Sequence, residues 1–309
     1  MKEDSMNKAT FPSVPRPYTR ALMQRHQVPI PLTTASVPKQ ASTPHVVAIA
    51  SGKGGVGKTW FSITLAHALA SNDTQQRILI VDCDFGLGNV DVQLGLHHKY
   101  DLTHVLRREI PIEEAIVPVK LHNDGAHSTN RIDVLPGHSG SSTLRLLQPD
   151  SLRSLLEQIR DLGDYDVILL DLCAGIDWSS RMIAAAADTL LVVTTEEPTA
   201  LTDAYAVLKL AVRDRRQDGY TTPNAWVVIN QASGSRSGQA TFDILNQSCK
   251  RFLSFSPHLA GVVRKDRRVS EMIRRQSSFL GTLPTSNTAT DVLRVARQLV
   301  ADTFPALVN

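Results

Sequence analysis

Short runs of aliphatic and β-branched residues recur along the chain from His45 onward, and helix-like stretches separate most of them. The runs predict buried strands at Val46–Ala50, Ile78–Val81, Ile132–Leu135, Val167–Leu170, Leu190–Thr194, Val227–Ile229 and Gly261–Val263. Helices are predicted over Lys58–Ser71, Ser151–Leu162, Ser179–Ala187, Ala200–Arg216, Gln239–Phe252 and Ala289–Phe304. Because parallel neighbouring strands need crossover connections, this alternation predicts a mostly parallel α/β sheet covered by helices on both faces, in one domain over residues 45–309.

Residues 1–44 lack this pattern. The stretch from Pro12 to Pro44 holds seven of the chain's 16 prolines, and residues 1–51 contain no glycine. The stretch is also basic, with six Lys/Arg against two Asp/Glu in residues 1–45. We therefore expect a disordered, proline-rich N-terminal arm at 1–44. A solvated tail is the favoured interpretation, and a docking peptide around Tyr18–His26 is the alternative.

Composition narrows the class of protein. Hydrophobic residues make up 42% of the chain and charged residues 20%, and no apolar run approaches the length of about 18 residues that a membrane span needs. No signal peptide is visible, so we expect a cytosolic protein. The three cysteines lack a CxxC pair, which argues against a disulfide framework or a zinc site. Residues 46–309 carry 27 Lys/Arg against 28 Asp/Glu, which weakens a role in coating nucleic acid.

A glycine-rich sequence follows the first predicted strand. Ser51–Thr59 reads SGKGGVGKT and matches the P-loop pattern, between a strand and a helix as that loop requires. Glycines allow consecutive N–H groups to surround phosphate oxygens, and the helix N-terminus adds positive potential. Lys58 would reach the outer phosphates, and the Thr59 hydroxyl would bind Mg²⁺. The candidate nucleotide-binding residues are Gly52, Gly54, Gly55, Val56, Gly57, Lys58 and Thr59.

Carboxylates follow two other predicted strands. Asp82 and Asp84 stand two residues apart after the second strand, and Asp171 follows Val167–Leu170. Beside a bound triphosphate, such carboxylates can hold Mg²⁺ or its waters and position an attacking water. As isolated residues, Asp82 and Asp84 would more often form strand-end turns. The P-loop favours the nucleotide role for both.

Lys53 is a second lysine within the loop. Two cations this close need a shared anion, and we predict that Lys53 reaches the nucleotide of a second subunit. A solvated lysine is the alternative. With Lys53, the loop reads KGGxGK[ST] and resembles the deviant Walker A motif of the MinD/ParA superfamily. That resemblance implies an ATPase with ATP and Mg²⁺ as cofactors, in a homodimer in which this lysine serves the partner's site.

The same resemblance assigns further roles. It makes Asp84 the water-activating residue, with Lys53 and Lys58 as the other catalytic residues. It implies metal contacts from Thr59, Asp82 and Asp171, adenine contact from Asn230, and dimer contacts from Asn89 and Glu197. By itself, Asn230 would more often be a strand-end turn residue, although its amide can pair with the donor and the acceptor at the edge of adenine.

Two further segments indicate a branch of that superfamily. Val192–Ala206 reads VVTTEEPTALTDAYA and resembles the TTPEPTxxTDAYA signature of the FlhG/FleN (YlxH) flagellar-number ATPases, and Leu135–Gly140 resembles their LPGGSG. The resemblance implies an ATP-dependent dimer that regulates flagellar number or placement. Its implied partners are an FlhF-like GTPase or a flagellar transcription activator, and contact with the inner face of the cell membrane is an open alternative.

Other functions stay open. A MinD/ParA-type positioning or DNA-partition ATPase would use the basic clusters at Arg213–Arg216 and Arg264–Arg275, although solvated helix faces are the favoured interpretation. An iron–sulfur carrier is disfavoured by the missing CxxC. A nucleotide-binding scaffold with little turnover is a further alternative.

The chain departs from the family pattern at two places. Trp60 follows Thr59 where a threonine or serine is usual, and Leu172-Cys173 follows Asp171 where a serine or threonine is usual. An indole cannot replace the hydroxyl contact to the α-phosphate. We expect slow hydrolysis with nucleotide binding retained.

Overall fold

The computed structural model describes residues 43–71, 76–119, 132–137, 147–217 and 222–303. The predicted N-terminal arm lies outside these residues except for its last two positions, and so do His138–Gly140 of the LPGHSG segment. The strands of the described part are β1 His45–Ser51, β2 Ile78–Cys83, β3 Val117–Val119, β4 Ile132–Leu135, β5 Val167–Ala174, β6 Thr189–Thr194, β7 Ala225–Ala232 and β8 His258–Arg264.

Helices connect most of these strands. They are α1 Lys58–Ala70, α2 Val90–Leu94, α3 Leu102–Leu106, α4 Pro149–Arg160, α5 Trp178–Ala186, α6 Pro198–Gln217, α7 Ser235–Leu253, α8 Arg268–Arg274, α9 Phe279–Thr282 and α10 Asn287–Thr303, with a short 3₁₀ turn at Ile112–Ala115. None of the helices in the described part of the chain is both long enough and apolar enough to cross a membrane.

The strands form one sheet in the order β3-β4-β2-β5-β1-β6-β7-β8. All neighbouring pairs are parallel except β3 with β4. The mostly parallel sheet that the sequence predicts is therefore confirmed. The carboxyl ends of β1, β2, β5, β6 and β7 lie at one edge, which is where ligands bind in open α/β sheets.

Apolar layers cover both faces of the sheet. Along β1, Val47 and Ile49 pack into the layer that contains α1 and α10, whereas Val46 and Ala48 pack into the layer that contains α4–α7. Successive side chains of a strand point to opposite faces, so a strand buried on both sides must be apolar throughout. This explains why the predicted strands read as continuous apolar runs.

The sequence pattern missed the shortest elements. The β3 strand has three residues and contains Pro118, which is tolerated at the edge of a sheet. The helices α2, α3, α8 and α9 have four to seven residues each, which is too short to show a helical period. Of these, α2 and α9 contact α1, the helix that follows the glycine-rich loop, and α8 contacts α2.

Candidate nucleotide-binding site

The loop between β1 and α1 forms an open cradle. Gly55 and Gly57 have backbone φ angles of 81° and 82°, in the left-handed region that favours glycine. Gly57 directly precedes α1 at its N-cap, and among the described residues no side chain caps that helix end. The first N–H groups of α1 therefore point out of the helix without a side-chain acceptor, as an anion-binding helix N-terminus requires.

Gly52 is needed for close packing. A Cβ atom at this position would lie 2.4 Å from the backbone carbonyl carbon and oxygen of Asp203 in α6. By contrast, a Cβ atom at Gly54 would meet no atom of the described chain within 4 Å. Gly52 thus brings the loop against α6, while the space beside Gly54 is open to a ligand.

Behind the cradle, Asp171 joins Lys58 and Thr59. Lys58 Nζ lies 2.8 Å from Oδ1 of Asp171, and the Thr59 hydroxyl donates to Oδ2 at 2.8 Å. Ser62, one turn further along α1, also donates to Oδ1 at 2.8 Å. Asp171 is 1% exposed and Lys58 is 7% exposed, so each charge depends on the other for compensation. Of the three residues predicted to bind metal, the structure brings Thr59 and Asp171 into direct contact.

Asp82, the third residue predicted to bind metal, makes different contacts. It is in register with Asp171 on the adjacent strand β2, yet its carboxylate accepts N–H groups from Asp84, Asn89 and Val90 at 3.1, 2.8 and 3.0 Å. Burial, followed by the charge of Asp171, raises the pKa of Asp82 to about 7. In this structure Asp82 anchors the loop after β2, as the strand-end turn alternative describes, and a metal role would require the loop to release it.

Asp84 and Asn89 belong to the same loop. Oδ1 of Asp84 accepts the N–H groups of Gly86 and Leu87 at 3.2 and 3.0 Å, so this carboxylate also closes a local turn. Asn89 directly precedes α2 at its N-cap, and its side-chain oxygen accepts from Gln93 at 3.3 Å. The water-activating role of Asp84 and the dimer contact of Asn89 stay predictions.

Lys53 has different partners from Lys58. Its ammonium lies 2.8 Å from Oε2 of Glu197 and 3.1 Å from the Thr199 hydroxyl, both in the segment after β6. The Lys53 side chain is 39% exposed and that of Glu197 is 67% exposed. Lys53 lowers the pKa of the Glu197 carboxyl, and Lys265 adds to this effect. The two lysines of the loop thus pair with different carboxylates, Lys58 with the buried Asp171 and Lys53 with the exposed Glu197.

Asn230 contacts the loop directly. Its side-chain amide donates to the carbonyl oxygen of Val56 at 2.8 Å, and the residue is 2% exposed. The adjacent residue Gln231 donates in the same way to the carbonyl oxygen of Gly55 at 3.1 Å. The predicted adenine residue therefore holds the P-loop in this structure.

Two cavities flank the loop. One of about 460 Å³ is lined by Lys53, Gly54, Gly55, Val56, Thr195, Glu196, Glu197, Gln231 and Lys265. The other, of about 390 Å³, extends from Gly57 and Trp60 past Asn230 to Arg264 at the end of β8 and to the following residues Lys265, Asp266 and Arg267. Each has the size of a small-molecule site. Together they offer room on either side of the phosphate cradle.

Both departures from the family pattern have structural roles. The Trp60 ring is 7% exposed and packs edge-to-face on Phe279, with ring centroids 5.4 Å apart. Leu172 is buried in the core. The Cys173 thiol donates to Asp177 at 2.8 Å, at the start of α5. Burial, followed by this hydrogen bond, raises the pKa of Cys173 to about 12, so the group is a neutral thiol.

Sequence reasoning missed three residues of this site. Ser62 follows Lys58 by one helical turn, and that spacing could have indicated its contact with Asp171. Thr199 lies within the recognised TTEEPT stretch and receives a hydrogen bond from Lys53. For Gln231 the sequence contains no signal, because its position depends on an unusual backbone conformation.

The chain is similar in sequence to several known proteins. A family model described as "AAA domain" matches residues 44–216. The antiactivator FleN of Pseudomonas aeruginosa is 32% identical over 272 residues, which cover 87% of this chain and 91% of that protein. The flagellum site-determining protein YlxH of Helicobacter pylori is 26% identical over 257 residues, covering 82% and 81% of the two chains.

The fold also matches a solved structure. The septum site-determining protein MinD of Pyrococcus horikoshii, complexed with Mg-ADP, has a TM-score of 0.65 and 22% identity, and the match covers 84% of this chain and 96% of that one. A glycine-rich loop at the carboxyl edge of a parallel sheet, with a threonine and an aspartate converging behind it, defines a P-loop nucleotide-binding protein. More narrowly, the chain belongs to the MinD/ParA superfamily of ATPases, in its FlhG/FleN branch.

Proposed function

We propose that this chain is a Mg²⁺-dependent ATPase that forms a homodimer in its ATP state and regulates the number or placement of flagella. The divergence of the two loop lysines carries the proposal. Lys58 turns inward to the buried Asp171, whereas Lys53 turns outward to the exposed Glu197. One lysine can serve the chain's own nucleotide while the other faces a second molecule.

The loop fits the phosphates of ATP. Its uncapped helix end and its glycine conformations leave backbone N–H groups for phosphate oxygens. The cavity that contains Trp60 and Asn230 has a volume of about 390 Å³ and adjoins Gly57, so it is suited to the adenosine part. Lys58 would exchange its bond with Asp171 for the outer phosphates.

Thr59 and Asp171 would hold the metal. Their oxygens already lie 2.8 Å apart at the inner side of the loop, and both are hard ligands of the kind that Mg²⁺ prefers. When bound, Mg²⁺ neutralises charge on the phosphate oxygens during transfer. Asp84 would orient the attacking water after its loop has moved, because Oδ1 of Asp84 accepts two backbone N–H groups in this structure.

The relatives support the cellular role. FleN is described as an antiactivator and YlxH as determining the flagellum site, and both similarities extend over more than four fifths of this chain. We therefore propose a flagellar transcription activator as the partner, with an FlhF-like GTPase as the second candidate.

Basic residues give less support to DNA partition. Within the basic cluster at Arg264–Arg275, the side chains of Arg264, Arg268 and Arg275 each pair with a carboxylate at 2.6 or 2.7 Å. In α6, the side chains of Arg215 and Arg216 donate to backbone oxygens of neighbouring elements. These arginines neutralise local acids or hold elements together, which leaves fewer of them for phosphate contacts.

A nucleotide-binding scaffold with little turnover is the second candidate, and the engagement of Asp84 in its local turn favours it. Phosphate release by the wild-type chain, by Asp84→Ala and by the exposed control Asp150→Ala separates the two. If the chain is an ATPase, Asp84→Ala should release phosphate about 100-fold or more slowly than the wild type, and Asp150→Ala should match the wild type. Equal release by all three proteins, at the level of free ATP, would leave the scaffold as the function.

The cellular proposal has its own test. Flagella are counted by electron microscopy in cells that lack the gene and carry the wild-type chain, Lys53→Ala or no copy. The proposal expects altered number or position without the gene, restored by wild type and not by Lys53→Ala. Unchanged flagella in the deletion strain would overturn the flagellar role while leaving the ATPase proposal intact.

A further inference from the structure

Two consecutive side-chain amides hold two consecutive carbonyl groups of the P-loop. Asn230 donates to the oxygen of Val56 at 2.8 Å, and Gln231 donates to the oxygen of Gly55 at 3.1 Å. Both donors come from the end of β7, and both acceptors from the turn that leads into α1. The contact therefore links the edge of the sheet to the phosphate cradle at two adjacent peptide groups.

A regular strand could not make both bonds. Successive side chains of a strand point to opposite faces, so Asn230 and Gln231 would diverge. Gln231 instead has a φ of 53°, in the left-handed region that non-glycine residues seldom adopt. The pairing of β7 with β8 also shifts register between Ile229 and Ala232. This irregular backbone turns both amides toward the loop, and such strained conformations concentrate at functional sites.

The two bonds orient the groups that would meet phosphate. In a trans peptide unit the carbonyl and the following N–H point in opposite directions. The bond from Gln231 fixes the Gly55 carbonyl, so the N–H of Val56 in the same peptide unit points to the opposite side of the loop. In the same way, the bond from Asn230 fixes the Val56 carbonyl and directs the N–H of Gly57 to that opposite side. Since the loop would bind phosphate through such N–H groups, their direction decides how well it does so.

We infer that Gln231 is a positioning residue for phosphate binding, which sets the direction of the Val56 N–H through its bond to the Gly55 carbonyl. The inference rests on the proposed nucleotide site. Gln231 lines both cavities beside the loop and is only half-buried. Its side chain therefore acts at the rim of the site and does not fill the core.

The test uses variants that separate the amide from the backbone. Gln231→Met keeps an uncharged side chain of similar length and removes the amide N–H donor. Gln231→Gly removes the donor and also relieves the strained backbone. Gln247→Met, at an exposed position of α7, is the matched control. Affinity for Mg-ADP is measured by calorimetry, stability by thermal unfolding without nucleotide, and the Val56 and Gly57 amides by ¹H–¹⁵N spectra.

We expect both Gln231 variants to bind Mg-ADP about three- to tenfold more weakly, the loss that one neutral hydrogen bond implies. Gln231→Gly should do so without a lower unfolding temperature, and the Val56 amide resonance should shift in both variants. The control should match the wild type in all three measurements.

Mg-ADP affinity within twofold of wild type in both variants would overturn the inference alone. A loss of affinity that appears only with an equal loss of stability would also overturn it, because the residue would then support the fold and not the loop. If the wild-type chain itself bound no Mg-ADP, the proposed function would fail and this inference with it.

Discussion

The ammonium of Lys53 lies 2.8 Å from the carboxylate of Glu197 in the same chain. The side chains are 39% and 67% exposed, and ion pairs between exposed groups contribute only about 0–1 kcal/mol. Lys53 can therefore leave Glu197 for a stronger anion at little cost. In the proposed homodimer, a triphosphate presented by the second subunit would be such an anion.

Replacement of this lysine tests the homodimer. Lys53→Ala should abolish dimerisation with ATP while it retains nucleotide binding, because Lys58 and the backbone cradle are unchanged. Light scattering with ATP and with ADP measures the dimer, and calorimetry measures binding. Lys250→Ala, an exposed lysine of α7, is the control and should dimerise like the wild type. ATP-dependent dimers of Lys53→Ala would refute the role of Lys53 in the partner's site.

The buried pair of Lys58 and Asp171 makes a second prediction. Lys58→Met leaves the Asp171 carboxylate buried without its cation and should lower the free energy of unfolding by about 3 kcal/mol. The double variant Lys58→Met/Asp171→Asn removes the uncompensated charge and should recover part of that loss. Urea unfolding without nucleotide measures both. Equal stability of the single and double variants would show that the pair does not compensate charge at this site.

Two glycines of the loop should respond differently to alanine. Gly52→Ala places a Cβ atom 2.4 Å from the backbone of Asp203, so α6 or the loop must move, at a cost of about 1–3 kcal/mol of stability. Gly54→Ala meets no atom of the described residues within 4 Å and should leave the nucleotide-free stability unchanged. It should weaken ATP binding if phosphate fills that space. Equal stabilities of the two variants in urea unfolding would contradict this.

Acid should destabilise the protein through His67. This residue of α1 is 3% exposed and its Nε2 atom has no partner among the described residues. Burial lowers its pKa from 6.5 to about 4. Between these two pKa values, the unfolded chain binds a proton at His67 that the folded chain does not bind. The free energy of unfolding therefore falls as the pH drops from about 6.5 to about 4.

The expected loss between about pH 7 and about pH 5 is about 2 kcal/mol from this group. His67→Gln, which cannot titrate, should show a smaller loss over the same interval in urea unfolding. If the free energy of unfolding of His67→Gln depended on pH as that of the wild type does, groups other than His67 would cause the acid sensitivity.

Much of the fold follows from local chemistry. Short apolar runs such as Val46–Ala50 predict strands buried on both faces, and the helical stretches between them predict parallel neighbours, as the structure confirms. The P-loop is equally local, since its glycines and Lys58 are consecutive in the chain. The approach of Thr59 and Asp171 also follows from sequence, because parallel strands bring their carboxyl ends to one edge.

Other parts of the site depend on backbone geometry that residue types do not encode. The sequence predicts Asp82 beside the metal, but whether its oxygens face a ligand or the N–H groups of the following loop depends on the path of that loop. Likewise, Asn230 resembles an adenine-binding residue, yet its amide donates to Val56.

The sequence by itself determined the class of this protein, because strand, glycine loop and helix are contiguous and their chemistry is local. Only the tertiary structure decided the contacts of Lys53 and Gln231. Lys53 meets Glu197 across 144 positions of the chain, and Gln231 reaches Gly55 only through a left-handed backbone. Such contacts depend on how distant segments converge at one edge of the sheet, and no periodicity along the chain records that.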